Sequence, residues 1–115
     1  MDVYTLKTCD TCRKALKILE ANNIAHSNFD IRKDGISLET IQSAISALGW
    51  EAILNRRSTS WRQLDDDIKQ NIDAQKAAQL INENPTLMKR PLFIKGDTYI
   101  VGFDKKAQEQ VLTLN

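Results

Sequence analysis

The opening of the chain, "VYTL", then "CRKALKILE", then "IAHSNFDI", constrains its fold more than any other stretch. Residues 3–6 are too few for a helix and rich in β-formers, which predicts a strand. Beyond Cys12 the apolar positions fall at Ala15, Leu16 and Leu19, one face of a helix that begins near Asp10 or Thr11. Ala21, Asn22 and Asn23 end that helix, because asparagine tolerates the left-handed cap conformation. Residues 24–31 read as a second strand. A β-α-β connection makes its two strands parallel and lays the helix on one face of the sheet.

The pattern then changes twice. Lys33, Asp34 and Gly35 make a turn, and Ser37 is placed as the N-cap of a helix whose stripe is Leu38, Ile41, Ile45 and Leu48, stopped by Gly49. "WEAILN" is a short helix, and residues 56–60 ("RRSTS") are polar loop. Trp61, Leu64, Ile68 and Ile72 give another helical stripe, and "DAQKAAQLINEN" a third, capped by Asp73 and stopped before Pro85. After Pro85, "PLFI", a "KGD" turn and "TYIVGF" predict a β-hairpin with strands at 91–94 and 98–101. Pro91 is allowed at a strand entry, where no ladder donor is required. Asp104 caps a last helix to about Leu114. The expectation is one α/β domain over residues 1–115, with a mixed parallel and antiparallel sheet and an all-helical insertion over 37–84.

Composition narrows the function. At 115 residues, 42% apolar and 27% charged, the chain can bury an ordinary core without disulfide staples. A net charge of +1 and no dominant Lys/Arg block give no reason to expect a nucleic-acid surface. No apolar run approaches membrane-spanning length, and the N-terminus lacks the pattern of a secretory signal. A cytoplasmic monomer is therefore expected, in a compartment where paired thiols are normally kept reduced.

Those thiols are the chain's two cysteines, Cys9 and Cys12, placed together at the junction of the first strand and helix. The first turn of a helix has free N–H groups carrying roughly half a positive charge. Cys9, just before that turn, can receive them, and a thiolate so stabilised has a pKa below the usual ~8.5 and is the attacking form. Lys7, Arg13 and Lys14 add positive charge, while Asp10 opposes them. Cys12, one turn further in, faces the side of Leu16 and Leu19 and is expected to be more buried. Cys9 is assigned as the nucleophile and Cys12 as a candidate resolving thiol, with two inert core cysteines as the bland alternative. Zinc needs four ligands, and one histidine with no third cysteine does not supply them, so no metal is expected.

A thiolate enzyme also needs cations for an anionic substrate. Arg56 and Arg57 precede a helix in a polar loop, and Arg90 stands directly before Pro91. Arginine suits oxyanions because its planar fork gives paired hydrogen bonds. Thr8, Asp10 and Thr11 flank the thiols and Lys89 precedes Arg90, which makes all four candidate substrate contacts. Gly102 permits a tight backbone after the last strand. By contrast, His26, Trp50 and Trp61 read as structural, and Asp65 to Asp67 as a solvated helix start.

Taken in order, "KTCDTCRKA", "LGWEAILNRRSTSWRQLD" and "KRPLFIKGDTYIVGF" resemble the arsenate-reductase-like family that also includes the Spx regulators, over nearly the whole chain. The nearest likeness is to small bacterial proteins proposed to be glutathione-dependent thiol reductases. The resemblance implies a thioredoxin-like fold with strand order 2-1-3-4, a cis-proline at Pro91 facing the reactive Cys9, and Arg90 as the arginine before it. Arg57 matches the arginine of the family's "T-R-x-x-x-W" loop, and Arg56 fills a position that is often Thr. Glutathione is implied as co-substrate, with no bound cofactor. The chain departs from the family at two points. Arsenate reductases of the glutaredoxin-dependent type carry a further arginine where this chain reads "VGFDKK", so one leg of that oxyanion clamp is absent or replaced by lysine. Cys12 is lacking in many reductase-like relatives and present in Spx regulators. That implies an alternative, a Cys9/Cys12 redox switch that binds RNA polymerase through the polymerase's alpha C-terminal domain.

Overall fold

Strand β1 (Asp2–Thr5) lies inside a four-stranded sheet of order β2-β1-β3-β4, formed with β2 (Ser27–Asp30), β3 (Leu92–Lys95) and β4 (Thr98–Val101). The pair β1/β2 is parallel, and β1/β3 and β3/β4 are antiparallel. This is the mixed thioredoxin-like sheet anticipated above. The computed structural model describes residues 1–114, and the chain falls into two compact units. Met1–Gly35 and the stretch from Arg90 onward make a sheet unit, and Ile36–Lys89 a helical unit. The helical stretch thus runs past Asn84, taking in residues 85–89.

In the sheet unit the register places Val3 opposite Phe93 and Phe93 opposite Ile100, one apolar row across three strands. Against that row pack Ala15 and Leu19 of helix α1 (Asp10–Ala21), and Ala107 and Val111 of α7 (Lys105–Thr113). Phe103 joins them, its ring centroid 5.9 Å from that of Phe93.

Helix α1 ends as its asparagines require. Asn23 takes φ 54 and its N–H donates to Glu20 C=O, while Ile24 N–H reaches back to Leu19 C=O. That is a Schellman cap, with Ile24 folded into the core behind it. It corrects the expected second strand at 24–31: Ile24 closes the helix, and β2 is only Ser27–Asp30. The first strand likewise begins and ends one residue earlier than 3–6, and the third is Leu92–Lys95 rather than 91–94, since Pro91 precedes the ladder. The fourth falls where expected, and Asp104 caps α7, accepting from Ala107 N–H at 2.8 Å.

The helical unit holds α2 (Leu38–Leu48), α3 (Trp50–Ile53), α4 (Thr59–Arg62), α5 (Asp66–Gln70) and α6 (Ala74–Glu83), then a 3-10 turn at Pro85–Leu87 that the sequence pattern did not signal. Ser37 and Asp73 cap α2 and α6 as read, accepting from Thr40 N–H and Lys76 N–H. Helix α2 packs on α6, burying Ile41, Ala44, Ala77, Ala78 and Ile81. The stripe from Trp61 to Ile72 is not one helix. Ser58 caps α4 through Trp61 N–H at 3.2 Å, α4 stops at Arg62, and a new helix begins after Asp65. Ile68, expected on the buried stripe, is 38% exposed.

Candidate functional site

The chain leaves β1 through Leu6, turns at Lys7 and Thr8, and enters α1 with Cys9 as the N-cap residue. Cys9 N–H donates to Leu6 C=O at 2.9 Å, and Cys9 C=O accepts the first helical bond, from Arg13 N–H at 3.1 Å. The Cys9 side chain is half-buried, and Cys12 is 1% exposed. Cys9 makes no formal side-chain capping bond, yet the Cys12 N–H faces its sulfur closely enough to favour the anion.

The two thiols move apart in acidity. Burial alone would raise Cys9, but the Cys12 N–H, the Cys12 thiol and the charge and hydrogen bond of Arg90 outweigh it and hold the Cys9 pKa below its ordinary value. Cys12 is pushed up to about 12, first by burial and then by the hydrogen bond and charge of Cys9, against the opposing Leu6 N–H and Arg90. The cation that acts on the nucleophile is therefore remote in sequence. Arg13, expected to help, is paired with Asp10 instead, on a surface where both are exposed. Thr8, Asp10 and Thr11 are all exposed beside the thiol.

Arg90 belongs to the same unit, and the Arg90-Pro91 peptide is cis, as the resemblance implied. Pro91 C=O accepts Gly102 N–H at 2.8 Å, and Gly102 has φ 81, a conformation that disfavours side chains with a Cβ. Gly102 thereby fixes the proline segment. The lysines of "DKK", Lys105 and Lys106, are exposed in the first turn of α7.

Arg56, Arg57 and Lys89 lie in the helical unit and are brought together there. With Leu54 and Asn55 they line a cavity of about 400 Å³ that contains no carboxylate. Paired backbone builds it: Asn55 N–H donates to Leu87 C=O and Lys89 N–H to Ile53 C=O, both at 2.7 Å, around a bridge between Leu54 and Met88. Asn55 Oδ1 accepts Arg57 N–H at 3.1 Å, and the Arg56 guanidinium lies 5.9 Å from the centre of the Trp50 ring. Trp50 therefore has a neighbour that its stripe did not suggest. Trp61 is buried in that unit, and His26 Nδ1 is 2.8 Å from Ile24 C=O, as structural residues would be.

One residue near the thiol was missed. Asp30, at the end of β2, accepts Lys7 N–H at 2.9 Å and lines, with Cys12, Lys7, Arg13 and Lys33, a groove of about 530 Å³ on the sheet unit. Only the polar turn after β2 hinted at it. Among the described residues no three His, Cys, Asp or Glu side chains gather as a metal site would need, and no helix is long and apolar enough to cross a membrane.

The ArsC family model matches residues 4–111. The global transcriptional regulator Spx of Listeria innocua is 30% identical over 105 residues, covering 90% of this chain and 79% of that one. The solved structure of the YffB (PA3664) protein superposes with a TM-score of 0.90 at 33% identity, covering 96% of this chain and 97% of that one. An arsenate reductase (ArsC) related protein from Brucella melitensis gives 0.76 at 34% identity, with 95% and 91% covered.

Proposed function

Because the chain belongs to the ArsC family, we propose that it is a thiol-dependent reductase whose nucleophile is Cys9 and whose co-substrate is glutathione. The observation that carries this reading is the half-buried Cys9 thiol at the start of α1, held below its ordinary pKa by the Cys12 N–H and Arg90. In the first step the Cys9 thiolate attacks the glutathione sulfur of a mixed disulfide. A Cys9–glutathione disulfide forms, and the other thiol leaves as its thiolate. In the second, a glutathione thiolate attacks the glutathione sulfur bound to Cys9, releasing oxidised glutathione and restoring the Cys9 thiolate. Arg90, in the same unit as Cys9, steadies the anion at the start and end of this cycle. The cis Arg90-Pro91 segment, held through Gly102 N–H, is the stretch of this unit against which an extended peptide such as glutathione would lie. Thr8, Asp10 and Thr11 form the exposed border of the thiol.

Resolution by external glutathione is favoured over resolution by Cys12. Burial, the first cause that raises the Cys12 thiol, persists after Cys9 has formed its mixed disulfide and keeps Cys12 protonated at pH 7, whereas the thiolate is the attacking form. The test is turnover of a glutathione mixed disulfide of a small thiol, with glutathione regenerated. Wild type is expected to turn over, Cys9→Ser to be inactive, and Cys12→Ser to stay within about twofold. A silent wild type would sink the reductase, and a dead Cys12→Ser the external route.

A second reading has two features in its favour: the Listeria relative is named a global transcriptional regulator, and the resemblance gives Spx regulators a cysteine pair like Cys9 and Cys12. In that reading Cys9 and Cys12 form a redox switch for binding the alpha C-terminal domain of RNA polymerase. Binding of that domain by the oxidised or the reduced chain would support it, and binding by neither would remove it.

A further inference from the structure

We propose that Asp30 is a positioning residue for the Cys9 thiol, its carboxylate pinning the Lys7–Cys9 turn to the end of β2 and so fixing where the sulfur stands at the helix start. The proposal deepens the reading of Cys9 as nucleophile and rests on it.

Sheet pairing stops supporting this turn early. The last link from β1 toward β2's far end is Ile31 N–H donating to Thr5 C=O at 2.8 Å, and beyond it the two segments part. The carboxylate of Asp30 spans the gap. Its Oδ2 accepts Lys7 N–H at 2.9 Å, and its Oδ1 accepts Arg32 N–H at 2.8 Å and Lys33 N–H at 3.0 Å. One oxygen thus holds the turn after β2 and the other holds the turn before α1. The Asp30 backbone is itself fixed, its N–H donating to Asp34 Oδ2 at 2.9 Å and its C=O accepting Asp34 N–H at 2.8 Å. Among the described residues no other hydrogen bond from Lys7 or Thr8 reaches β2.

The pinned turn controls both sulfurs. Cys9 N–H closes it on Leu6 C=O at 2.9 Å, which fixes the direction in which the Cys9 side chain leaves the backbone. Leu6 N–H faces the Cys12 sulfur, and the Cys12 N–H faces that of Cys9. Movement of Lys7 therefore reaches the two backbone donors, Cys12 N–H and Leu6 N–H, that face the thiols. The three N–H groups, that of Lys33 foremost, also hold the Asp30 carboxyl below the usual aspartate range, so the pin is charged throughout the working range of a thiol. A charged acceptor makes a stronger bond than a neutral one.

The experiment compares wild type, Asp30→Ala, Asp30→Asn and Asp34→Ala by the pH profile of Cys9 alkylation with iodoacetamide and by turnover of a glutathione mixed disulfide. Asp30→Ala is expected to raise the alkylation midpoint by about one unit, roughly tenfold less thiolate below it. Its kcat should fall about ten- to hundredfold, the size of a misplaced reacting group. Asp34→Ala, which removes one of the two bonds that fix the Asp30 backbone but leaves the Asp30 carboxylate in place, should shift the midpoint less than Asp30→Ala does. If circular dichroism shows Asp30→Ala unfolded, Asp30→Asn decides, since it retains an oxygen for Arg32 and Lys33 but loses the one facing Lys7. A wild-type midpoint and kcat in the folded Asp30 variant overturn the proposal. If wild type itself turns over no mixed disulfide, the reductase reading fails, and the alkylation midpoints still decide the role of Asp30.

Discussion

Burial raises both thiols, and the deeper burial of Cys12 together with the donors each sulfur meets separates them. Cys9 has the Cys12 N–H and Arg90 on its side, and Cys12 has a neighbouring anion against it. Replacing Arg90 with Met should therefore move the Cys9 alkylation midpoint up toward the ordinary thiol value. An unchanged midpoint would mean that the guanidinium does not act on the sulfur. Cys12 has the opposite linkage. Its native pKa lies above its unfolded value, so its contribution to stability is complete below pH ~8.5 and is lost as pH rises toward its native value. Between those limits the loss is about 1.4 kcal/mol per pH unit. Urea midpoints between pH 8 and 10 should therefore fall more steeply for wild type than for Cys12→Ala, and equal slopes would contradict the assignment.

At the scale of elements, caps decide where helices begin. Asp104 gives α7 its start through Ala107 N–H, and α7 carries two core residues, Ala107 and Val111. Asp104→Ala is expected to cost about 1 kcal/mol in urea unfolding, the usual worth of such a cap. Ser37, Asp73 and Asp104 were legible in the sequence because each precedes a clean apolar stripe. The break between α4 and α5 was not. Trp61, Leu64, Ile68 and Ile72 keep helical spacing, but the capping by Ser58 and the restart after Asp65 override it, and spacing alone cannot weigh a cap against a stripe. Ile24 misled in the same way: an apolar residue after two asparagines serves a Schellman cap as well as a strand. Cys9, Cys12 and Arg90 could be picked out by residue type and motif. Asp30 could not, because its partners are backbone N–H groups that only the folded turn aligns.

At the scale of the molecule, the sheet unit is assembled from two separated stretches whose apolar row is Val3, Phe93 and Ile100. Phe93 is fully buried at the middle of that row. Phe93→Ala should lose about 3–5 kcal/mol by transfer and cavity costs, a large share of an ordinary domain's total. A loss under 1 kcal/mol in urea unfolding would show that this row does not organise the sheet. The same discontinuity has a consequence during synthesis. The sulfur is made with the first dozen residues, while the guanidinium that sharpens it is the ninetieth. A nascent chain on the ribosome therefore carries a blunted thiol until Arg90 has been added and its segment has paired with the first strand.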